Sequence, residues 1–521
     1  MRADEETATR LGANALWETL RAGGVEACFA NPGTSEMHLV AALDDGPGVR
    51  PVLCLTEPVA TGAADGFARV TGRPGAALLH LGPGLANGWS NLHNARRAHS
   101  PVVAVVGDFP DRHRVLDPLL GSDLDGLGAS VGGWYRRSVS GATLGTDTAD
   151  AVRAAYGPPG RPAVLAVASD AAGHPCAQPV EAVARPAPRT FEATALDSLA
   201  GTLGPRTALV LGGPALTGRG LELATRVAGA SGARLLMEPF PAIVDHGGGA
   251  PTLERVNYVP EFAQAQLREV DDLVLVGARE PVGPFDYEGV PGRLVREDAR
   301  VTSLAAPGDD ALAALEALVE RLGAPRVSAA PPAPPTPPSG PLTPESLCAA
   351  VGASLVEGTV VVDESITSGL HLFEATDASP PHRVTTLTGH ALGYGLPCAL
   401  GAAVGSSGRV LALVADGSFL YSAPALWSMA REGLDVTVVV LVNRRYAILE
   451  WERARLGALV AGSASASLMD LSRPDLDYGA LARGLGVPAR RATTAEELVE
   501  GLAASAAEPG PHLVEAVFAP H

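Results

Sequence analysis

The sequence predicts an α/β protein made of three doubly wound domains with parallel sheets. Apolar runs of strand length alternate with helix-like segments along the chain. Two Pro-rich connectors, around residues 171–189 and 328–344, divide it. A chain of 521 residues has room for about three domains of roughly 100–200 residues each. We expect the domains to cover residues 1–175, 190–325 and 343–521.

Composition and charge restrict the classes of partner. With 46% hydrophobic and 18% charged residues, the chain is typical of a globular protein with a large core. Its net charge of −18 argues against nucleic acid, because phosphate binding needs clustered positive charge. The sequence has no apolar run of membrane-spanning length, and its first residues are too polar for a signal peptide. We therefore expect a cytoplasmic protein with no membrane partner.

The absence of lysine and the spacing of the cysteines argue against several kinds of site. All 39 basic residues are arginine, so neither a lysine Schiff base with pyridoxal phosphate nor a P-loop lysine can occur. The five cysteines are scattered without CxxC spacing, which favours neither a zinc site nor a disulfide framework. They are Cys28, Cys54, Cys176, Cys348 and Cys398.

In the first domain, polar residues follow two of the predicted strands. We predict strands at residues 25–30, 52–55, 76–81 and 102–106, with helices between them. Glu57 follows the second strand and precedes an Ala- and Gly-rich helix, and His80 lies at the end of the third. From the residues alone, Glu57 can be a helix cap and His80 a structural histidine.

The central domain gives a weaker functional signal. Strands are predicted at residues 207–211, 233–237 and 272–276, again with helices between them. The segment LVLGGPALTGRG follows the first of these strands, but it does not form a GxGxxG pattern. The sequence therefore does not favour a dinucleotide site here.

The third domain contains a strand, helix, strand unit with a polar residue at each strand end. The strands are predicted at residues 410–414 and 436–442 and the helix at 424–432. Asp416 follows the first strand and Asn443 the second, so parallel pairing would place both at one sheet edge. Carboxylate and amide oxygens suit Mg2+, although Asp416 can also be a helix cap.

A second turn in this domain is rich in hydroxyl groups. The strand at residues 360–362 ends in DESITS, which contains Thr367 and Ser368. Such a turn suits phosphate oxygens. A turn closed by its own hydroxyl groups, with a helix cap, is the alternative.

The third domain resembles the metal and diphosphate motif of thiamine diphosphate (ThDP) enzymes. In that motif GDGS is followed by a helix, a strand, NN and then a tyrosine. Here Asn443 lies 443 − 416 = 27 residues after Asp416, although Ala415 and Val442 replace the first glycine and first asparagine. The resemblance implies that Mg2+ is held by Asp416, Asn443 and the Arg445 carbonyl. It implies cofactor contacts from Thr367, Ser368, Gly417, Ser418, Tyr446 and Ile448.

A second loop of the third domain, HALGYGLP, resembles the family loop that bends the cofactor. The resemblance implies that the Leu392 side chain lies under the cofactor. It also implies that a backbone carbonyl near His390 accepts a hydrogen bond from the cofactor amino group.

The first domain resembles the pyrimidine-binding domain of the same family through NPGTSE, TEPVATGAADGFARVTGRPG and GPGLANGWSNL. The resemblance implies that Glu57 hydrogen-bonds the cofactor aminopyrimidine and that Pro32 borders the cofactor. The segment LLHLGPG resembles the benzoylformate decarboxylase branch, which implies that His80 faces the substrate. Thr34 in NPGT matches a serine of that branch, which implies that Thr34 contacts the substrate carboxylate. A histidine there could transfer protons as CO2 leaves.

These resemblances imply a ThDP- and Mg2+-dependent 2-oxo acid decarboxylase acting through a C2 ylid and an enamine. The alternatives are a carboligase of the acetolactate synthase type and a non-catalytic ThDP-binding protein. The family places its active site between subunits, which implies a homodimer or homotetramer. Its central domain binds FAD in acetolactate synthases and nothing in many decarboxylases, and we expect no FAD here.

Three departures limit the transfer of known activities to this chain. Acetolactate synthases use a lysine near the substrate, and this chain has none. The benzoylformate branch has a second catalytic histidine near residues 278–289, where this chain reads AREPVGPFDYEG. Glu452 stands where that branch has an aromatic residue, which disfavours a phenyl substrate. The acyl donor and acceptor stay open.

Overall fold

The computed structural model describes residues 10–46, 48–176, 183–191, 196–251, 253–326, 332–456 and 463–519. It contains three sheets with helices between their strands, which confirms the predicted α/β class. The predicted domain boundaries stay predictions. Within the described ranges, the helices lack the combination of length and apolarity needed to cross a membrane.

The first sheet has six strands in the order β2-β1-β3-β4-β6-β5, and all its neighbouring pairs are parallel. Its strands are β1 Ala27–Ala30, β2 Arg50–Leu53, β3 Gly75–Leu79, β4 Val102–Asp108, β5 Trp134–Ser138 and β6 Pro162–Ala168. The helices are α1 Gly12–Ala22, α2 Met37–Ala41, α3 Glu57–Thr71, α4 Leu81–Arg97, α5 Asp111–Arg114, α6 Leu124–Ser130, α7 Leu144–Tyr156 and α8 Ser169–Gly173. Every residue of β4 and β6 is buried, which explains why the sequences of these two strands are almost wholly apolar.

The second sheet has five parallel strands in the order β10-β8-β7-β11-β12. Its strands are β7 Thr207–Leu211, β8 Arg234–Met237, β10 Glu254–Arg255, β11 Asp272–Val276 and β12 Arg300–Ala305, and β9 Val244–His246 leaves to join the third sheet. The helices are α9 Leu196–Thr202, α10 Gly218–Ser231, α11 Pro260–Leu267 and α12 Ala311–Leu322.

The third sheet has seven strands in the order β17-β18-β16-β15-β13-β14-β9. Its own strands are β13 Val360–Glu364, β14 His382–Thr386, β15 Val410–Ala415, β16 Val436–Val442, β17 Ala489–Ala492 and β18 His512–Val517. The helices are α13 Pro344–Ser354, α14 Leu372–Thr376, α15 Gly395–Gly405, α16 Asp416–Ser422, α17 Ala425–Glu432, α18 Ala447–Arg455, α19 Ser463–Ser467, α20 Tyr478–Gly484 and α21 Ala495–Ala507. Strand β9 pairs antiparallel with β14. The sequence predicted a parallel sheet. The third sheet departs from this at one edge only, where β9, a segment between β8 and β10, is the antiparallel neighbour of β14.

The first and third domains pack closely through α3 and α15. A Cβ atom at Gly66 would lie 2.2 Å from the Cys398 carbonyl oxygen, and one at Gly401 would lie 1.8 Å from the Ala63 carbonyl oxygen. Glycine at both positions lets the two helix backbones approach. This contact fixes where each domain presents its polar strand ends.

Candidate active site

Asp416 and Asn443 lie side by side at the carboxyl edge of the third sheet. Strands β15 and β16 are parallel and in register, with Ala415 opposite Leu441, so the residues that follow them emerge together. The Asp416 carboxylate accepts the backbone N–H of Asn443 at 3.0 Å and that of Arg444 at 2.6 Å. The structure thus brings the two predicted metal ligands together.

The Asp416 carboxylate is buried, with 2% of the residue exposed. It also accepts the N–H of Gly417 at 2.9 Å. Burial raises the pKa of Asp416, and the backbone hydrogen bonds from Arg444, Gly417 and Asn443 act in the opposite direction. A buried carboxylate held by neutral N–H groups keeps its attraction for a cation.

The segment after Asn443 turns sharply towards α16. Arg444 has a φ of +60°, and the Arg445 N–H donates to the Asn443 side-chain oxygen at 3.0 Å. The Tyr446 ring then lies against Gly417, where an added Cβ would be 2.5 Å from Tyr446 Cε1. Glycine at 417 therefore permits the tyrosine ring to pack on the turn that carries Asp416.

The other predicted cofactor contacts of this domain lie around the same edge. Strand β13 pairs with β15, and the turn Ile366–Gly369 follows β13. Within this turn Thr367 is half-buried and Ser368 is buried, while Ser418 is buried in α16 and Ile448 is half-buried in α18. The turn therefore follows the strand next to the one that ends just before Asp416, and the contacts of all four residues with a cofactor stay predictions.

His390 is fixed against the central domain. Its φ is +57°, and its ring stacks on Tyr258, with centroids 5.4 Å apart. The Phe240 ring meets it edge-on at 4.0 Å. Desolvation of the ring and then the charge of Arg97 lower the pKa of His390 to about 4, while the residue as a whole stays exposed on one side. Leu392, two residues on, is half-buried.

Glu364 was missed by the sequence analysis. It is buried and accepts the N–H groups of Gly393 at 2.7 Å, Tyr394 at 3.3 Å and Gly395 at 2.7 Å. Burial raises the pKa of Glu364 to about 7, although these N–H groups favour the charged form. The second acidic residue of DESITS was a usable signal, because a carboxylate at a buried strand end needs hydrogen-bond donors.

In the first domain, Glu57 and His80 lie on either side of Gly84. Helix α3 begins at Glu57, whose carboxylate accepts the Asn87 side-chain N–H at 3.3 Å. A Cβ at Gly84 would lie 3.1 Å from Glu57 Oε1 and 3.6 Å from His80 Cβ. The two predicted catalytic residues are therefore neighbours at the carboxyl edge of the first sheet.

His80 is paired with Glu36, the last residue of NPGTSE, for which the sequence predicted no role. His80 Nδ1 lies 2.8 Å from Glu36 Oε2. That oxygen also accepts the Gly33 N–H at 2.7 Å, and Ser35 Oγ is 3.5 Å from the same His80 nitrogen. Glu36 is fully buried, so this pairing fixes the orientation of the imidazole ring.

Pro32 and Thr34 belong to the segment that lies over His80. A Cβ at Gly33 would be 2.3 Å from His80 Nδ1, which shows how closely this segment approaches the ring. Pro32 is half-buried, and Thr34, the first residue of a 3-10 turn, is exposed. The structure places both beside His80.

The groups around Glu57 and Asp416 remain separate within one chain. Glu57 and His80 are hydrogen-bonded to residues of the first domain, and Asp416 to residues of the third. Over the described ranges, no hydrogen bond or ion pair joins the two groups.

The central domain borders a cavity of about 990 Å3 that all three domains line. Its walls include Arg97, Glu238, Arg279 and His390. Burial raises the pKa of Glu238 to about 7, while the Gly213 N–H and then the two arginines act in the opposite direction. The cavity is polar at the carboxyl edge of the second sheet, a feature that the weak glycine pattern did not reveal.

Comparisons with known proteins identify the two domains that contain these residues. Residues 10–124 match the thiamine pyrophosphate enzyme N-terminal TPP binding domain, and residues 367–516 match the C-terminal TPP binding domain. A Mycobacterium tuberculosis protein provisionally named acetolactate synthase large subunit IlvX is 48% identical over 97% of this chain and 98% of its own. Benzoylformate decarboxylase of Pseudomonas aeruginosa is 30% identical over 96% of this chain and 98% of its own.

A solved structure of similar fold comes from Rhodococcus jostii RHA1. It is a thiamine diphosphate-dependent 4-hydroxybenzoylformate decarboxylase with a TM-score of 0.84 and 23% identity, covering 98% of this chain and 99% of its own. The two relatives cover almost the whole chain, and the matched domains contain Glu57 and Asp416. The chain therefore belongs to the thiamine pyrophosphate enzymes of the decarboxylase and acetolactate synthase family.

Proposed function

We propose that the protein is a ThDP- and Mg2+-dependent 2-oxo acid decarboxylase, a carbon–carbon lyase similar to benzoylformate decarboxylase. The observation that carries this proposal is the pairing of polar groups at two sheet edges. Glu57 and His80 flank Gly84 in the first domain, and Asp416 and Asn443 are hydrogen-bonded in the third. Both groups have the chemistry that the family reaction requires.

The residues of the third domain suit Mg2+. The Asp416 carboxylate, the Asn443 amide oxygen and the Arg445 carbonyl are hard oxygen donors close together in sequence and space. Among the described residues, no group of three or more His, Cys, Asp or Glu side chains is placed to hold a metal. A Mg2+ site here would therefore use the amide and carbonyl oxygens together with the cofactor phosphates.

The first domain supplies the groups that handle protons. ThDP, when bound, supplies a carbon nucleophile and an electron sink for the loss of CO2. Glu57 would share a proton with the aminopyrimidine nitrogen, and Asn87 orients its carboxylate. His80, oriented by Glu36, would hold or deliver a proton beside the substrate. These roles need no lysine, in agreement with the composition.

The separation of the two groups favours an active site made from two chains. Within the described residues, no hydrogen bond or ion pair joins the group around Glu57 to the group around Asp416. A twofold-symmetric dimer would place the first domain of one chain against the third domain of its partner, and would complete two equivalent sites. We therefore propose at least a homodimer as the active form.

The acyl pocket that we propose is polar. Ile448, Glu452 and Arg455 share a face of α18, because their spacing of four and three residues follows the helical repeat. Tyr287 donates a hydrogen bond of 2.6 Å to the Glu452 carboxylate. An unsubstituted phenyl group beside this carboxylate would remove it from water without a new hydrogen bond. A 2-oxo acid with a hydrogen-bond donor at its far end fits better.

A carboligase is the second candidate, favoured by the 48% identity to the protein named as an acetolactate synthase large subunit. ThDP, when bound, would supply the same chemistry for both reactions up to the loss of CO2. The two reactions would differ in whether a proton or a second carbonyl compound is then added. The absence of lysine counts against acetolactate itself as the product. A different acceptor would then define the reaction.

The test measures CO2 release from aliphatic, aromatic and acidic 2-oxo acids, with and without ThDP and Mg2+. We expect release that depends on both cofactors, and aldehyde rather than acyloin products. Glu57→Gln should abolish this release while ThDP still binds. Acyloin products would favour the carboligase, and no release from any donor by ThDP-loaded protein would refute the decarboxylase proposal.

A further inference from the structure

Asn94, on α4 of the first domain, forms two hydrogen bonds with a loop of the third domain. Its Nδ2 donates to the Ala391 carbonyl at 2.9 Å, and its Oδ1 accepts the Ala391 N–H at 3.2 Å. Asn94 is fully buried. One side chain therefore satisfies both polar groups of a single residue nearly 300 positions away, between His390 and Leu392.

Neighbouring groups strengthen the same contact. Thr388 Oγ1 donates to the Asn94 carbonyl at 2.8 Å, and His93 Nε2 lies 3.2 Å from the Gly389 carbonyl. A Cβ at Gly389 would be 2.6 Å from Asn94 Oδ1 and 2.8 Å from His93 Cδ2. Glycine is required at 389 because the helix and the loop touch there.

The loop also needs to be held. His390 has a φ of +57°, a left-handed conformation that costs a non-glycine residue free energy and persists where the surroundings fix it. Asn94 fixes the residue that follows. Glu364 holds residues 393–395 through their N–H groups. Leu392 therefore lies between Ala391, which the buried Asn94 holds, and Gly393, which the buried Glu364 holds.

We propose that Asn94 is a positioning residue that holds the His390 carbonyl and Leu392 in the geometry that receives the cofactor. This inference rests on the proposed function, because it takes that loop as the cofactor loop. Asn94 acts through the Ala391 backbone and does not touch the cofactor itself. Without it, the left-handed turn at His390 would relax and the Leu392 side chain would lose its fixed position.

The same contact links two sites in the proposed dimer. Asn94 Nδ2 also donates to Asn91 Oδ1 at 2.9 Å, and Asn91 Nδ2 donates to the Pro58 carbonyl at 2.8 Å. Pro58 follows Glu57 directly. In the proposed dimer, the first domain of a chain presents Glu57 to one active site. Through Asn91 and Asn94 of α4, the same domain also holds the cofactor loop of the second active site.

The test combines hydrogen–deuterium exchange of the cofactor-free protein with ThDP titration in the presence of Mg2+. In Asn94→Ala we expect faster exchange of the amides of residues 389–395. We also expect ThDP affinity to fall by roughly tenfold to hundredfold, as for the loss of two or three hydrogen bonds. His93→Phe keeps the stacking on Trp89 and loses the polar contact with Gly389, so it should give a smaller change of the same kind.

Thr148→Ala is the matched control. It removes a buried hydroxyl-to-carbonyl hydrogen bond of 2.6 Å within α7 of the same domain. Like Asn94→Ala, it therefore loses a buried hydrogen bond, but at a place away from the loop. Unchanged exchange at residues 389–395 in Asn94→Ala would overturn the proposal, as would a loss of affinity no greater than in Thr148→Ala. If the wild-type protein binds no ThDP, the proposed function fails, and the exchange data still test the role of Asn94.

Discussion

The phenol of Tyr287 donates a 2.6 Å hydrogen bond to the carboxylate of Glu452. It joins the central-domain loop after β11 to α18, the helix that follows the Asn443 turn. The Arg455 guanidinium lies 3.9 Å from the centre of the Tyr287 ring and is bound to Glu261 at 2.7 Å. Two carboxylates surround one guanidinium here. The segment at residues 278–289, which lacks the histidine, therefore contributes Tyr287 to a hydrogen-bonded cluster of two glutamates and one arginine.

Glu452→Leu should change substrate preference. Removing the carboxylate makes the proposed pocket apolar, so the ratio of kcat/KM for benzoylformate to that for a 2-oxo acid with a terminal hydroxyl or amino group should rise about tenfold. Tyr287→Phe should shift the ratio less, since the carboxylate remains. Steady-state kinetics measure both. Glu261→Gln is the control, and an unchanged ratio in Glu452→Leu would remove these residues from the pocket.

Asp416→Asn should abolish Mg2+-dependent cofactor binding. The substitution keeps the side-chain size but removes the negative charge, and we expect ThDP affinity measured by calorimetry with Mg2+ to fall by at least about a hundredfold. Unfolding of the cofactor-free protein should change by only about 1 kcal/mol, because one backbone hydrogen bond is lost. Asp475→Asn removes the ion pair with Arg444, and this variant should bind ThDP with wild-type affinity. Equal affinity in both variants would contradict the metal site.

Mixing two inactive variants should restore activity if each site uses two chains. In a dimer of one Glu57→Gln chain and one Asp416→Asn chain, one site carries both substitutions and the other carries neither. Random pairing should therefore recover about a quarter of wild-type CO2 release after subunit exchange. Mixtures of each variant with itself provide the baseline. Recovery no higher than that baseline, with heterodimers verified by mass, would place Glu57 and Asp416 in the same site of one chain.

Glu364→Gln should flatten part of the pH dependence of stability. The pKa of Glu364 is raised to about 7, so the folded protein keeps a proton that the unfolded chain releases near pH 4.5. Stability from this group is present at low pH and is lost as pH rises from 4.5 to 7. Urea unfolding of both cofactor-free proteins should show that, between pH 5 and pH 8, the free energy of unfolding of the variant rises by roughly 2–3 kcal/mol relative to that of the wild type.

Other titrating groups are common to both proteins in this comparison. Burial lowers the pKa of His99 and His382 to about 4, so their contribution to stability is lost as pH falls below about 6.5. It cancels in the difference between wild type and variant. Glu508→Gln, at an exposed surface pair, should show no pH-dependent difference. A constant difference for Glu364→Gln would show that Glu364 is ionised in the folded protein throughout this range.

The sequence alone was sufficient where function depends on strand ends. The predicted strands at residues 207–211, 272–276 and 436–442 have those bounds in the structure. Asp416 and Asn443 could be paired in advance, because uninterrupted apolar runs predict buried parallel strands and parallel strands share a carboxyl edge. The same reasoning located Glu57 and His80, and resemblance to the family supplied their expected roles.

Only the tertiary structure showed the residues that hold these groups in place. The contacts of Asn94 with Ala391 and of Tyr287 with Glu452 join positions 297 and 165 residues apart, and no periodicity in the sequence encodes such a pair. Strand β9 is three residues long, too short for a recognisable pattern. Secondary structure follows local periodicity, which the sequence displays directly. The positioning of the site follows from hydrogen bonds between distant segments, which exist only once the three domains have packed together.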